Sequence, residues 1–122
     1  MKIRGIDFTM YKVTNLKKAI DFYKNKLGLK LYGKPGSSWA EFEAGKDILV
    51  IGNWGFNKKK IGGGATVGLA VADVKKAIKE MKAKKVKIVD DLYETPVCFG
   101  CTISDLDGNR IYLHQRKDGT AG

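Results

Sequence analysis

Val13-Thr14-Asn15-Leu16-Lys17-Lys18-Ala19-Ile20 returns as Val71-Ala72-Asp73-Val74-Lys75-Lys76-Ala77-Ile78. The offset is 58 at both ends, 71 − 13 and 78 − 20. Each copy reads as the end of a strand, a polar N-cap and an amphipathic helix. A repeat of this kind sets the architecture before single residues are weighed. Two copies are too few for a solenoid. They point instead to paired modules that bury their faces and place a site near the join.

Working outward, Asn15 and Asp73 are N-caps, because their side-chain oxygens can take the unpaired N–H groups of a first helical turn. Leu16, Ile20, Tyr23 and Leu27 form one apolar stripe, and Val74, Ile78 and Met81 form its counterpart. Gly28 stands where a helix closes in the left-handed conformation, and the second helix is expected to fray near Lys84-Lys85. Strands are expected at Ile3–Val13, Leu29–Gly33, Ser38–Ala44 and Ile48–Asn53 in the first half. In the second half they are expected at Ala65–Ala72, Lys87–Val89, Val97–Ser104 and Arg110–Gln115. Turns fall at Lys34-Pro35-Gly36, at Ala44-Gly45-Lys46-Asp47 and at Asp105-Leu106-Asp107-Gly108-Asn109. The order is βαβββ, twice. The fold class is therefore α+β, with two βαβββ modules forming a curved mixed sheet and the helices on its convex side. The chain of 122 residues reads as one domain: module 1 at about 1–56, a linker at 57–64 and module 2 at about 65–117.

Alternation separates two faces. Val97, Phe99, Cys101 and Ile103 oppose Cys98, Gly100, Thr102 and Ser104; Ile111 and Leu113 oppose Arg110, Tyr112 and His114. Ala40 and Phe42 oppose Trp39 and Glu41, and Val67, Leu69 and Val71 oppose Thr66, Gly68 and Ala70. The apolar faces pack under the helices. The others line a concave surface with small residues at its centre and Phe8, Trp39, Glu41, Arg110, Tyr112 and His114 around them, the profile of a small-molecule pocket. The segment Tyr93–Cys98 is expected to shape its rim, with Pro96 fixing the start of a strand.

A net charge of +10 would suit an anionic partner. The lysines are spread over both helices and the loops, and only Lys58-Lys59-Lys60, before Ile61-Gly62-Gly63-Gly64, forms a run. No nucleic-acid motif accompanies the charge, so nucleic acid is not an expected partner. No apolar run is long enough to cross a membrane and the N-terminus has no signal-like stretch, so the expected compartment is the cytoplasm. Cys98 and Cys101 form a C-x-x-C pair, but on a strand residues three apart point to opposite faces. Two reduced cysteines are expected rather than a redox pair or a zinc site.

The doubled βαβββ pattern resembles the vicinal oxygen chelate superfamily, which holds glyoxalase I, bleomycin and fosfomycin resistance proteins and extradiol dioxygenases. The resemblance is carried by Leu16–Tyr23 with Leu27-Gly28-Leu29, and by Asp105-Leu106-Asp107-Gly108-Asn109-Arg110-Ile111-Tyr112-Leu113-His114. Leu106 departs from the proline common in that turn. The superfamily's enzymes hold a divalent metal through His, Glu or Gln. The resemblance puts Phe8, Thr66 and Tyr112 at three ligand positions, and the fourth falls in Ile48–Gly52, where no register offers a donor side chain. The expected cofactor is therefore none, a divalent metal being disfavoured.

The expected function is a metal-free small-molecule-binding protein of the glyoxalase/bleomycin-resistance type. Its ligand would contact Phe8, Trp39, Glu41, Thr66, Cys98, Arg110, Tyr112 and His114. A homodimer is implied by the resemblance. The alternative is a lyase, isomerase or dioxygenase-like enzyme with a non-standard metal or acid–base site, built from His114, Cys98 and Glu41. Cys98 reads as a small packing residue rather than a nucleophile.

Overall fold

The structure is a computed structural model and describes residues 1–2, 4, 7–53 and 61–121. The chain divides into two compact units, Met1–Phe56 and Asn57–Gly122. Lys58-Lys59-Lys60, and with them the first half of the expected linker, lie outside the described residues.

In the first unit β1 (Thr9–Lys12) leads to α1 (Leu16–Asp21), a π-helical turn (Phe22–Lys26), β2 (Lys30–Leu31), β3 (Trp39–Ala44) and β4 (Asp47–Gly52). The strands form one four-stranded sheet in the order β1-β4-β3-β2, parallel only between β1 and β4. The second unit repeats this with β5 (Val67–Ala70), α2 (Val74–Ala83), β6 (Lys87–Glu94), β7 (Cys98–Ser104) and β8 (Arg110–Arg116), in the order β5-β8-β7-β6. Each half is thus a βαβββ unit and the fold class is α+β, with a mixed sheet in each unit.

The written repeat is reproduced bond by bond. Asn15 accepts from Lys18 N–H at 3.0 Å, and Asp73 accepts from Lys76 N–H at 3.1 Å. Val13 N–H donates to the Gly52 carbonyl and Val71 N–H to the His114 carbonyl, both at 2.9 Å. These bonds tie each helix start to the last strand of its own sheet. The helices then cover one sheet face. In the first unit Tyr23 meets Tyr11 and Phe42, with ring centroids 6.4 and 5.8 Å apart. In the second, Val74, Ile78 and Met81 are buried with Cys101, Ile103, Ile111 and Leu113. Burying each large side chain contributes roughly 1.5–3 kcal/mol.

Four details differ from the sequence reading. The first helix buries Ala19, Phe22 and Tyr23, while Leu16, Ile20 and Leu27 are only half-buried. The cause is the π turn, closed by Leu27 N–H on the Phe22 carbonyl, which breaks the 3.6-residue period and admits two adjacent aromatic rings to the core. The first strand starts at Thr9; Ile3, Gly5 and Ile6 lie outside the described residues. β6 runs on to Glu94 rather than ending at Val89, because register shifts at Ile88/Asp90 and Asp90/Tyr93 absorb the polar Asp90-Asp91 pair inside the strand. Val97 is 71% exposed and precedes β7 rather than joining its apolar face. It sits in a turn whose Thr95 hydroxyl oxygen accepts from Val97 and Cys98 N–H.

Asp105–Asn109 folds around the Asp105 carboxylate, which accepts from Asp107 N–H, Asn109 N–H and the Asn109 amide at 2.8–2.9 Å. Leu106, in the usual proline's place, is exposed and does not disturb the turn.

Candidate functional site

Strand register assigns most of the candidate residues to rows. In the second unit one row across β5, β8, β7 and β6 reads Gly68, Tyr112, Thr102, Asp90. The next reads Ala70, His114, Gly100, Tyr93. Both lie on the face away from α2, since Cys101, Ile103, Ile111 and Leu113 alternate with them into the core. Tyr112 and His114 are two apart on β8, with ring centroids 6.4 Å apart. Arg110 stands one step before Tyr112 on the same face and is exposed; Thr66, level with it, precedes β5 and is exposed. Cys98 lies one row beyond Gly100, opposite Arg116.

A residue the sequence reading used only as rim completes this face. Tyr93 lies flat over Gly100: a Cβ built there would fall 2.3 Å from the Tyr93 hydroxyl oxygen. Its ring is 5.6 Å from that of Tyr112. Burial and the Tyr112 phenol beside it push the Tyr93 phenol well above the usual tyrosine range, so it stays protonated at neutral pH. The sequence signal was present as Gly100 in the middle of a strand, a mark of close approach by another group. It was missed because β6 was ended too early.

The two thiols divide as the alternation predicts. Cys101 is buried on the core side, where burial and then the Asp91 carboxylate push its thiol up. Cys98 is half-buried on the other face, with Sγ 3.0 Å from the Thr95 hydroxyl. That hydroxyl oxygen already accepts two backbone N–H bonds, so its proton is directed at the sulfur. Both cysteines are free. At the C-terminal ends of β5 and β8 a depression of about 320 Å³ is lined by Ala70, Arg116, Thr120 and neighbouring residues.

In the first unit Trp39 and Glu41 alternate on β3 with the buried Ala40 and Phe42. Trp39 is 44% exposed and covers Gly36, where an added Cβ would fall 2.4 Å from the indole. Glu41 is half-buried opposite Val50 on β4. Phe8, just before β1, is 57% exposed.

The sequence model of the Glyoxalase/Bleomycin resistance protein/Dioxygenase superfamily matches residues 5–113. The chain belongs to that superfamily. It is similar to lactoylglutathione lyase of Neisseria meningitidis, 28% identical over 126 aligned positions covering 91% of this chain and 90% of that protein. Among solved structures it resembles TnmS3, an antibiotic binding protein from Streptomyces sp. CB03234. That likeness has a TM-score of 0.80 at 27% identity, over 96% of this chain and 99% of that one. A glyoxalase-family protein from Bacillus anthracis shares the fold, with a TM-score of 0.78 at 23% identity over 96% and 98% of the two chains.

Enzymes of the superfamily hold a divalent metal, and strand register locates the ligand position left open on β4. Met10 pairs with Val50, and Gly68 with Tyr112; Met10 and Gly68 are one repeat apart. Val50 is therefore the counterpart of Tyr112. By the resemblance, the ligand positions would fall at Phe8, Val50, Thr66 and Tyr112, and side chains without imidazole or carboxylate do not fit a divalent transition metal. Among the described residues no three His, Cys, Asp or Glu side chains group as metal ligands. No helix among them is long and apolar enough to cross a membrane.

Proposed function

We propose that the protein binds a small aromatic molecule without a resident metal and without turning it over. What supports the reading is that the positions corresponding to the superfamily's metal ligands carry Phe8, Val50, Thr66 and Tyr112, none with an imidazole or a carboxylate. The TnmS3 likeness supports it, since that protein is an antibiotic binding protein. On the second unit, Tyr112, Tyr93 and His114 offer ring faces beside the side-chain-poor Gly68 and Ala70. On the first, Trp39 offers an exposed indole. On the second unit, Arg110 stands on the same face as Tyr112 and would orient a polar group of the ligand.

The test has two arms. Untagged protein is dialysed separately against nickel, zinc, manganese and iron(II), and its metal content and melting temperature are recorded. Sub-stoichiometric metal and no thermal shift are expected; one bound metal per chain with clear stabilisation overturns the reading. Calorimetric titration with the planar tricycle 9-fluorenone is expected to give saturable binding that weakens in Trp39→Ala or Tyr112→Ala, with circular dichroism unchanged. The same proposal takes the protein as a cytoplasmic homodimer, so light scattering is expected to give twice the 13.5 kDa chain mass.

The similarity to lactoylglutathione lyase keeps a second reading open to test, an enzyme working through His114, Cys98 or Glu41. Under the binding reading His114→Ala changes any lyase activity by no more than a few-fold. Loss of several orders of magnitude would establish the enzyme instead.

A further inference from the structure

Resting on that ligand-binding reading, we propose that the paired phenols of Tyr93 and Tyr112 select, among planar aromatic ligands, those that carry a carbonyl-type acceptor oxygen at their edge. The two rings stand 5.6 Å apart at 48°. Two phenols carry two O–H protons and spend at most one between them, so a proton is left for a third group. The surroundings fix where that group must lie. Tyr93 is held over Gly100, whose bare backbone admits the hydroxyl where a methyl group would stand 2.3 Å away. Beside Tyr112 the floor is open: Gly68 and Ala70 are exposed, and the nearest atom to a Cβ built on Gly68 is the Tyr112 Cβ at 4.0 Å.

Residues two apart on a strand are spaced by about 7 Å, roughly the breadth of fused aromatic rings. A flat ligand resting over Gly68 and Ala70 meets the Tyr112 and His114 rings along one side and presents its edge to the phenols. An edge oxygen there accepts a hydrogen bond; an edge methylene leaves the donors unsatisfied, which costs affinity. Tyr93 keeps its proton at neutral pH, so the donor is present under working conditions.

The experiment compares 9-fluorenone with fluorene, which has the same shape but carries CH₂ in place of the carbonyl, by calorimetric titration of the intact protein. Wild type is expected to bind fluorenone roughly five- to tenfold more tightly, the scale of one hydrogen bond. Tyr93→Phe and Tyr112→Phe keep both rings; each is expected to reduce the preference to within about twofold and to leave fluorene affinity unchanged. Equal binding of the two probes by wild type, or a preference that survives both variants, overturns the donor pair while the ligand-binding reading stands. Binding of neither probe overturns both.

Discussion

Gly100→Ala tests the packing on which the phenol face depends. The added methyl group would lie 2.3, 2.4 and 2.5 Å from the Tyr93 hydroxyl oxygen, Cε1 and Cζ. Carbon atoms settle at about 3.5–4.0 Å, so the ring must move by about 1 Å or more. Backbone movement is resisted, because β7 is bonded on both sides by β6 and β8. The ring itself can swing outward, because β6 is an edge strand and Tyr93 is only half-buried. Overpacking costs about 1–3 kcal/mol. Replacing a strand glycine by alanine offsets about 0.5–1 kcal/mol of that. The net loss is centred near 1 kcal/mol, or about 3–6 °C in melting temperature for a chain of this size.

Two readouts separate this account from a general weakening of the sheet. First, urea unfolding is measured for Gly100→Ala alone and in a Tyr93→Ala background. Without the ring the methyl group meets no obstacle, so the second cost falls to zero or becomes a small gain. Second, alkaline absorbance titration follows tyrosine ionisation. The wild-type Tyr93 phenol is raised, so its contribution to stability is complete below about pH 10 and is lost as pH rises through the folded value. A ring swung into water ionises earlier, so the variant shows more tyrosinate just above pH 10. Equal costs in the two backgrounds would refute the placement of Tyr93 over Gly100.

Asn15→Ala and Asp73→Ala each remove one N-cap bond and are expected to cost about 0.5–2 kcal/mol by urea unfolding; no loss in either would deny that the repeat is a repeat of capped helices. Asp105→Ala removes a buried carboxylate that holds three donors and is expected to cost about 2–4 kcal/mol, and a loss below about 0.5 kcal/mol would show that the turn folds without it. Glu94, beside Lys117, is held below the usual carboxylate range by that ammonium, so the pair is lost as pH falls through the lowered value. Lys117→Met is expected to raise the Glu94 carboxyl toward the ordinary glutamate range in a carbon-13 NMR titration, and an unchanged midpoint refutes the pairing.

The fold was legible because backbone needs are written locally. The caps, Gly28 at φ 83°, and the Asp105–Asn109 turn each announce themselves in residues whose conformational or hydrogen-bonding chemistry is narrow. The α1 stripe was misread because a π turn breaks the period without any glycine or proline to signal it. β6 was cut short for a related reason: Asp90 and Asp91 look like a loop, and only the register shifts show how a strand carries them. The site was half legible. Alternation put Tyr112, His114, Cys98 and Trp39 on the correct faces, whereas Tyr93 needed the strand pairing that only tertiary structure supplies.

The same pairing shows where the two units part. Their caps and their parallel ladders, β1 on β4 and β5 on β8, correspond, yet the faces away from the helices share almost no side chain. Met10 is matched by Gly68, Val50 by Tyr112, Lys12 by Ala70, Gly52 by His114 and Glu41 by Thr102. The third-strand position is more pointed, because Trp39 is matched by Gly100. In the first unit the ring stands on the third strand and covers Gly36 in the loop before it; in the second the glycine stands on the third strand and Tyr93 covers it from the neighbouring strand. Ring and glycine have exchanged places, and in each unit an aromatic side chain ends flat on bare backbone. Backbone bonds constrain the fold without constraining the side chains at these positions. What the exchange leaves is one indole on the first unit and one phenol pair on the second, and the fluorenone comparison asks whether the phenol pair has become the selective element.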